Sequence, residues 1–489
     1  MSHDLPPTGW SSLDRDLDRM SRLEAASLYA ARPLVGFGVG MVFIAVAALA
    51  AVLVTGLGAQ SLALALAAGF AAFMALSIGA NDVANNMGPA VGARALSMGG
   101  AIAIAAICES AGALLAGGEV VTTVSTGIFD PAGFADPAAF VRAMLAALLA
   151  SAIWVNVATF AGAPVSTTHA LIGGVVGAGL VAGGPGAMDW PTMAAIALSW
   201  VVSPLMGGAF AAAILAFVEA RIVYVEDKIA AAKVWVPVLI GVMAAAFAAY
   251  LALKGLSRVI WVPLELALAI GAGIGLAVWA ISVPLVRREA KGLENRNRSV
   301  KRLFRLPLVI SGALLSFAHG ANDVANAVGP LAAVVQVQHG ASALGRFAIP
   351  DWVMLIGALG ISVGLVLFGP RLIGLVGNRI TKLNPIRAYC VALSAAVTVI
   401  AAAALGLPVS STHIAIGGIF GVGFYREFSA SRRPRSPSLP MPRQERARRR
   451  LVRRSHFLTI IAAWVITVPA AGAVSAALFW ALSRLGFMV

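Results

Sequence analysis

The chain has 489 residues, 60% of them hydrophobic and 12% charged, with a mean hydropathy of +0.90 and a formal charge of +15. This composition excludes an ordinary soluble globular domain and points to a polytopic membrane protein. The charge does not mark a nucleic-acid partner: residues 287 to 305 contribute +6 and residues 426 to 454 contribute +9, which is the whole excess.

Residues 1 to 35 form a polar N-terminal extension. Leu13, Leu17, Met20 and Leu23 recur at helical spacing beside alternating Asp and Arg, which predicts an amphipathic helix at the membrane surface. Residues 36 to 58 read as an extra transmembrane helix, too long and too late in the chain for a cleaved signal peptide. Apolar runs of roughly 20 residues, enough to cross a bilayer core, follow near 62 to 80, 96 to 117, 140 to 161, 165 to 184 and 193 to 217. Others lie near 234 to 253, 259 to 286, 304 to 318, 352 to 375, 386 to 405, 408 to 425 and 457 to 482. About 11 to 13 hydrophobic segments result, all helical because lipid offers no partner to an open sheet edge. The expected fold class is an all-α polytopic membrane protein.

Two motifs occur twice. Gly79 to Pro89 (GANDVANNMGP) and Gly320 to Pro330 (GANDVANAVGP) agree at nine of eleven positions, and residues 163 to 174 (APVSTTHALIGG) agree with 407 to 418 (LPVSSTHIAIGG) at eight of twelve. Weaker echoes keep the register: Arg142 and Arg387 precede the second motif, and SWVVSP at 199 to 204 resembles AWVITVP at 463 to 469. A first repeat over 59 to 217 and a second over 304 to 486 follow. Residues 218 to 303 link them with two transmembrane helices and a basic loop, and a basic, Pro/Ser-rich, disordered insertion occupies 426 to 454. Arg/Lys-rich loops stay in the cytoplasm, so both basic stretches and the N-terminus are expected inside. The second repeat then starts inside and the first outside, which inverts one against the other, a common construction of secondary transporters.

An aspartate at membrane depth costs several kcal/mol unless it meets a cavity or a partner. Asp82 and Asp323 each stand among amides, Asn81, Asn85 and Asn86 or Asn322 and Asn326, and each motif ends in Gly-Pro, which suits a helix that breaks or re-enters. Carboxylate and amide oxygens suit a hard cation; Asp82 and Asp323 are the Na⁺ candidates. Ser166, Thr167, Thr168 and Ser410, Ser411, Thr412 follow Pro164 and Pro408, as at helix N-termini that present N–H groups to an anion. Gly173, Gly174, Gly417 and Gly418 would let helices pack closely. An oxyanion cannot rest beside two bare carboxylates in low dielectric unless cations lie between them, so coupled cation and anion binding is required. A hydrolase built from Ser166, His169 and Asp82 is disfavoured, because the nucleophile elbow is missing and the whole set is duplicated. Glu109 is a further intramembrane acid with a candidate coupling role, and Thr122, Thr123 and Ser125 are weaker candidates for the same cavity. His169 and His413 read as packing or helix-end residues, and His319, opposite Ile78, falls outside a symmetric site.

At these residues the chain resembles the inorganic phosphate transporter (PiT) family. The resemblance rests on GANDVANN and GANDVANA, on PVSTTH and PVSSTH, and on their order, and it covers roughly residues 60 to 485. It implies import of inorganic phosphate with a monovalent cation, Na⁺ or H⁺, by alternating access across the plasma membrane; the small-residue-rich composition points to a bacterial inner membrane. No further cofactor is implied; membrane lipids and a second copy of the chain are the other expected partners. Implied ligands are Asn81, Asp82, Asn85, Asn322, Asp323, Asn326 and the hydroxyls at 166 to 168 and 410 to 412. The alternatives are a sulfate or other oxyanion permease of the same family, and a cation channel or carrier. One departure is Ala392, where many members carry a glutamate; if that acid takes part in coupling, ion or stoichiometry differs here.

Overall fold

A computed structural model describes residues 35–58, 61–134, 136–160, 165–256, 260–338, 348–375, 383–432 and 454–484. The expected N-terminal amphipathic helix, Pro164 and residues 433–453 of the basic insertion lie outside these residues. The chain forms α1 (Val35–Thr55), α2 (Ser61–Gly92), α3 (Met98–Ala116), α4 (Gly118–Thr126), α5 (Pro137–Phe160), α6 (Thr167–Gly183), α7 (Trp190–Val218) and α8 (Lys228–Lys254). It continues through α9 (Leu264–Glu289), α10 (Asn297–Leu303), α11 (Arg305–Gln338), α12 (Asp351–Leu375), α13 (Pro385–Ala404), α14 (Ser411–Arg432) and α15 (Arg454–Arg484). Eleven helices among the described residues are long and apolar enough to cross a membrane, and α6 is a shorter apolar one. The protein is an all-α, multi-pass membrane protein.

The break expected at the Gly-Ala-Asn-Asp motifs is not there. Both motifs lie inside continuous helices, α2 and α11, with Pro89 and Pro330 also inside. The apolar runs read as 62 to 80 and 304 to 318 were cut short because hydropathy falls where polar side chains begin. Those side chains turn toward protein, so the helices run on to Gly92 and Gln338. Each proline removes one backbone hydrogen bond, a loss a long membrane helix packed against neighbours accommodates.

Contacts fix the sense of the repeats. Ala75, Leu76 and Val83 of α2 meet Gly360, Gly364 and Gly369 of α12 in rising order, so these helices run parallel. Glu109 meets Gly320 and Gly117 meets Val324, so α3 and α11 also run parallel. Residues 93–97 turn the chain back between α2 and α3. Consequently α11 opposes α2, and the close pairs Met87 with Gly312 and Asp82 with His319 run in falling order as that requires. The two copies are inverted.

The re-entrant elements carry the second motif instead. Arg387 at the start of α13 and Arg426 near the end of α14 line one cavity, so this pair enters and leaves on one face. Phe129 and Phe134, just before α5, pack on Gly179 and Gly183 at the end of α6, and this second hairpin is rooted on the other face. Small residues make the contacts possible: Gly79 abuts the Ile361 carbonyl, Gly320 that of Glu109, Gly173 that of Val468 and Gly417 that of Pro204. The last two contacts show that 199 to 204 and 463 to 469 are structural equivalents. As expected, Gly173 and Gly417 allow close approach, and Gly174 lies against Ser151.

A methyl at position 320 would strike backbone, whereas one at Gly273 meets nothing within 4 Å. Gly320→Ala is expected to cost about 1–3 kcal/mol by overpacking and to lower Tm in detergent, with Gly273→Ala at or slightly above the parent. Equal melting of both variants would refute this packing.

Candidate functional site

The inverted hairpins end at mid-protein. Ser166 caps α6 by accepting from the His169 N–H at 3.2 Å, and Ser410 accepts from the His413 N–H at 3.3 Å. The hairpin tips touch: the His169 and His413 rings are 4.5 Å apart, His169 lies 4.0 Å from the Trp200 ring, and Trp200 Nε1 donates to the Pro408 carbonyl at 3.1 Å. These histidines are packing residues at helix ends, as expected.

Against the tips lie the motifs of α2 and α11. Thr167 donates to Asp82 Oδ2 at 3.0 Å, Thr412 donates to Asp82 Oδ1 at 3.1 Å, and Asn81 donates to the same Oδ1 at 3.0 Å. Asp82 therefore binds the tips of both hairpins. Asn85 donates to Thr412 at 2.8 Å and its equivalent Asn326 donates to Thr168 at 3.0 Å, a pair of bonds related by the repeat. All twelve residues expected from the two motifs meet in this region. Ser166 and Ser410 serve as caps, and Thr168 donates to the Val409 carbonyl.

The halves are not equal. Asn322 donates to the Leu407 carbonyl at 3.0 Å and accepts from the Val409 N–H at 3.2 Å, holding the second hairpin tip. Asn81 instead faces Asp82 and accepts from Thr159 at 3.3 Å. Asn322 and Asn326 are fully buried, whereas Asn81, Asn85 and Thr159 are half-exposed and Asn156, which donates to Ser77, is exposed. The site communicates with its surroundings on the side of the first repeat.

His319 is the residue that sequence symmetry concealed. Its Nε2 lies 2.9 Å from Asp323 and 3.8 Å from Asp82, and its Nδ1 lies 3.4 Å from Glu109, all four groups being essentially inaccessible. It stands outside the repeat symmetry, as its counterpart Ile78 implies, yet lies among the motif carboxylates. Asn86 donates to the other oxygen of Glu109 at 2.9 Å. The contacts make Ile361 the counterpart of Glu109 and sequence makes Ile78 that of His319 and Ala327 that of Asn86. Three positions at which the repeats disagree are thus joined in one polar chain. The signal available was an ionisable residue at membrane depth one turn before Asp323. Thr122, Thr123 and Ser125 do not join it, since each hydroxyl bonds its own helix backbone. Ala392 is a buried apolar position in α13.

Three carboxylates around one imidazole in a dry interior repel strongly unless positive charge lies among them. The ligand atoms of Asp82, His319 and Asp323 lie within 4.8 Å of one another, close enough to share a cation. Hydroxyls and hairpin N-termini face the same region, so anion and cation chemistry adjoin.

Inverted repeats with polar hairpin tips meeting between them define a membrane transporter. The sequence profile of the phosphate transporter family matches residues 78–475, and the chain belongs to that family; phosphate is the transported substrate. A Helicobacter pylori (strain J99) protein named "Putative phosphate permease" is 47% identical over 415 residues, covering 84% of this chain and 78% of its own length. A relative of like name from Pyrococcus abyssi is 37% identical, covering 83% of this chain and 94% of its own. A solved structure, "The sodium-dependent phosphate transporter", superposes with a TM-score of 0.78 at 33% identity, over 86% of this chain and 99% of that one.

Thr412 both accepts from Asn85 and donates to Asp82, whereas Thr167 is bonded to Asp82 alone. Without phosphate present, Thr412→Val is expected to destabilise the protein by about 1 kcal/mol more than Thr167→Val, the net worth of one further hydrogen bond, from the half-exposed Asn85. Thermal unfolding in detergent measures the difference, and equal losses would contradict the bond assignment.

Proposed function

We propose that the protein is a symporter that imports inorganic phosphate with Na⁺ across a bacterial inner membrane by alternating access. The observation that carries the reading is Asp82 bonded to hydroxyls from both hairpin tips, at 3.0 and 3.1 Å. A cation bound between Asp82 and Asp323 would neutralise the carboxylates and let a dianion rest against the hydroxyls of Thr167, Ser411 and Thr412. Each ligand would favour the presence of the other, which is the linkage a symporter needs. Asn81, Asn85, Asn322 and Asn326 would complete the shells as carbonyl ligands to the cation or N–H donors to the anion, and Glu109 would act through His319. Similarity to the solved sodium-dependent phosphate transporter supports Na⁺ over H⁺.

In this reading the face bearing residues 287 to 305 is cytoplasmic, following the Arg/Lys rule. The half-exposed Asn81 and Asn85 and the closed Asn322 and Asn326 represent one end of the transport cycle, and exchange of the two arrangements would open the other end.

In proteoliposomes, an inward Na⁺ gradient at constant pH is expected to drive labelled phosphate uptake, with sulfate competing weakly. Asp82→Asn and Asp323→Asn should each reduce uptake to background. Uptake driven by a pH gradient and indifferent to Na⁺ would replace Na⁺ with H⁺, and full uptake in both variants would overturn the site.

A further inference from the structure

A second concentration of charge lies about one helix length, roughly 30 Å, from the hairpin tips, at the root of α13 and α14. A cavity of about 170 Å³ there is lined by Lys301, Arg387, Arg426, Asn297 and Asn384, with Glu219 as its one carboxylate. Lys301 also lines an adjoining cavity of about 460 Å³, together with Arg298, Arg302 and Arg305. Arg302 pairs with Glu289 at 2.6 Å. In the first cavity three cations face one carboxylate. Arg387, Arg426 and Lys301 are only half-exposed, so water screens their mutual repulsion incompletely.

The opposite face lacks this excess. There Asp136 stands immediately before Pro137 at the root of α5 and takes Arg142 at 3.3 Å. At the root of α13 the residue before Pro385 is Asn384, whose side chain accepts from the Arg387 backbone N–H at 3.0 Å. The carboxylate of one hairpin root is an amide in the other, and the arginine is left facing the cavity. Planar guanidinium groups with an ammonium beside them suit a tetrahedral phosphoryl group.

We propose that the paired cavities are a second oxyanion site, separate from the transport site, that takes a phosphoryl group from an anionic lipid headgroup or from free inorganic phosphate. Arg387, Arg426 and Lys301 hold the oxygens, and Arg298 and Arg305 extend the site to the remainder of a larger ligand. Because α13 and α14 form the hairpin that ends at Ser410 and Thr412, an anion bound at the root clamps the two helices whose tip contacts Asp82. The site holds whatever ion drives transport, and it therefore stands or falls separately from the coupling proposed above.

The test uses the full chain. In native mass spectrometry from detergent, phosphatidylglycerol is offered against phosphatidylcholine. In parallel, inorganic phosphate is tested for protection of Asn297→Cys from a maleimide, in protein carrying Asp82→Asn and Asp323→Asn to silence the transport site. Preferential retention of phosphatidylglycerol that falls about tenfold in Arg426→Gln, the loss of one charge-assisted contact, assigns the lipid. Slower labelling of Asn297→Cys with phosphate, reversed by Arg426→Gln, assigns the free anion. Lys301→Gln, on an exposed short helix, repeats either readout should Arg426→Gln melt early. Neither lipid preference nor protection in the parent protein would overturn the proposal.

Discussion

Three buried carboxylates, Asp82, Asp323 and Glu109, converge on a single imidazole, and the architecture around them serves to make that tolerable. Repulsion among like charges in a low dielectric cannot be relieved by water here, so it is relieved by directed donors, Thr167, Thr412 and Asn81 on Asp82 and Asn86 on Glu109, and by the His319 ring, whose Nε2 lies 2.9 Å from Asp323. These groups come from four helices, α2, α6, α11 and α14, and Glu109 comes from a fifth, α3. The site can therefore form only when α2, α3, α6, α11 and α14 are packed together, and close packing is what the glycines at 79, 112, 320, 364 and 417 permit. In the proposed mechanism a cation balances the remaining charge and so makes room for an oxyanion.

Inversion explains how one motif supplies two different surfaces. Exchange of the repeats maps the Asn85 to Thr412 bond onto that of Asn326 to Thr168, and Ser110 onto Ser362, which bond each other at 2.6 Å. Against this background the exceptions stand out. His319, Glu109 and Asn86 have Ile78, Ile361 and Ala327 as counterparts and are wired to one another. Duplication gave the framework, and the departures from it gave one polarised core in place of two. The unequal roles of Asn81 and Asn322 are of another kind, a difference of arrangement between identical residues.

Much of this could be read from the chain. Hydropathy gave the class, the paired motifs gave the duplication, and the loop charges gave its inversion. The twelve motif residues were identifiable because polar side chains at membrane depth must have partners. Hydropathy misled at 80 and 318, since it registers the polarity of a side chain and not the direction in which it points. The Gly-Pro ending each Gly-Ala-Asn-Asp motif suggested the re-entrant break there, although the break lies at Pro-Val-Ser, where a serine caps a helix that starts in the interior. His319 was lost to an assumption of symmetry, and only packing of α3 against α11 brings Glu109 to it, across more than 200 residues of sequence.

Dependence of phosphate binding on the cation bears most directly on this picture. Calorimetry on the purified protein in nanodiscs, at constant ionic strength with choline replacing Na⁺, isolates binding from transport. If cations neutralise the carboxylates before the anion can rest beside them, phosphate affinity should rise about tenfold or more with Na⁺, a coupling of about 1.4 kcal/mol or greater. Phosphate affinity equal in Na⁺ and choline would contradict it.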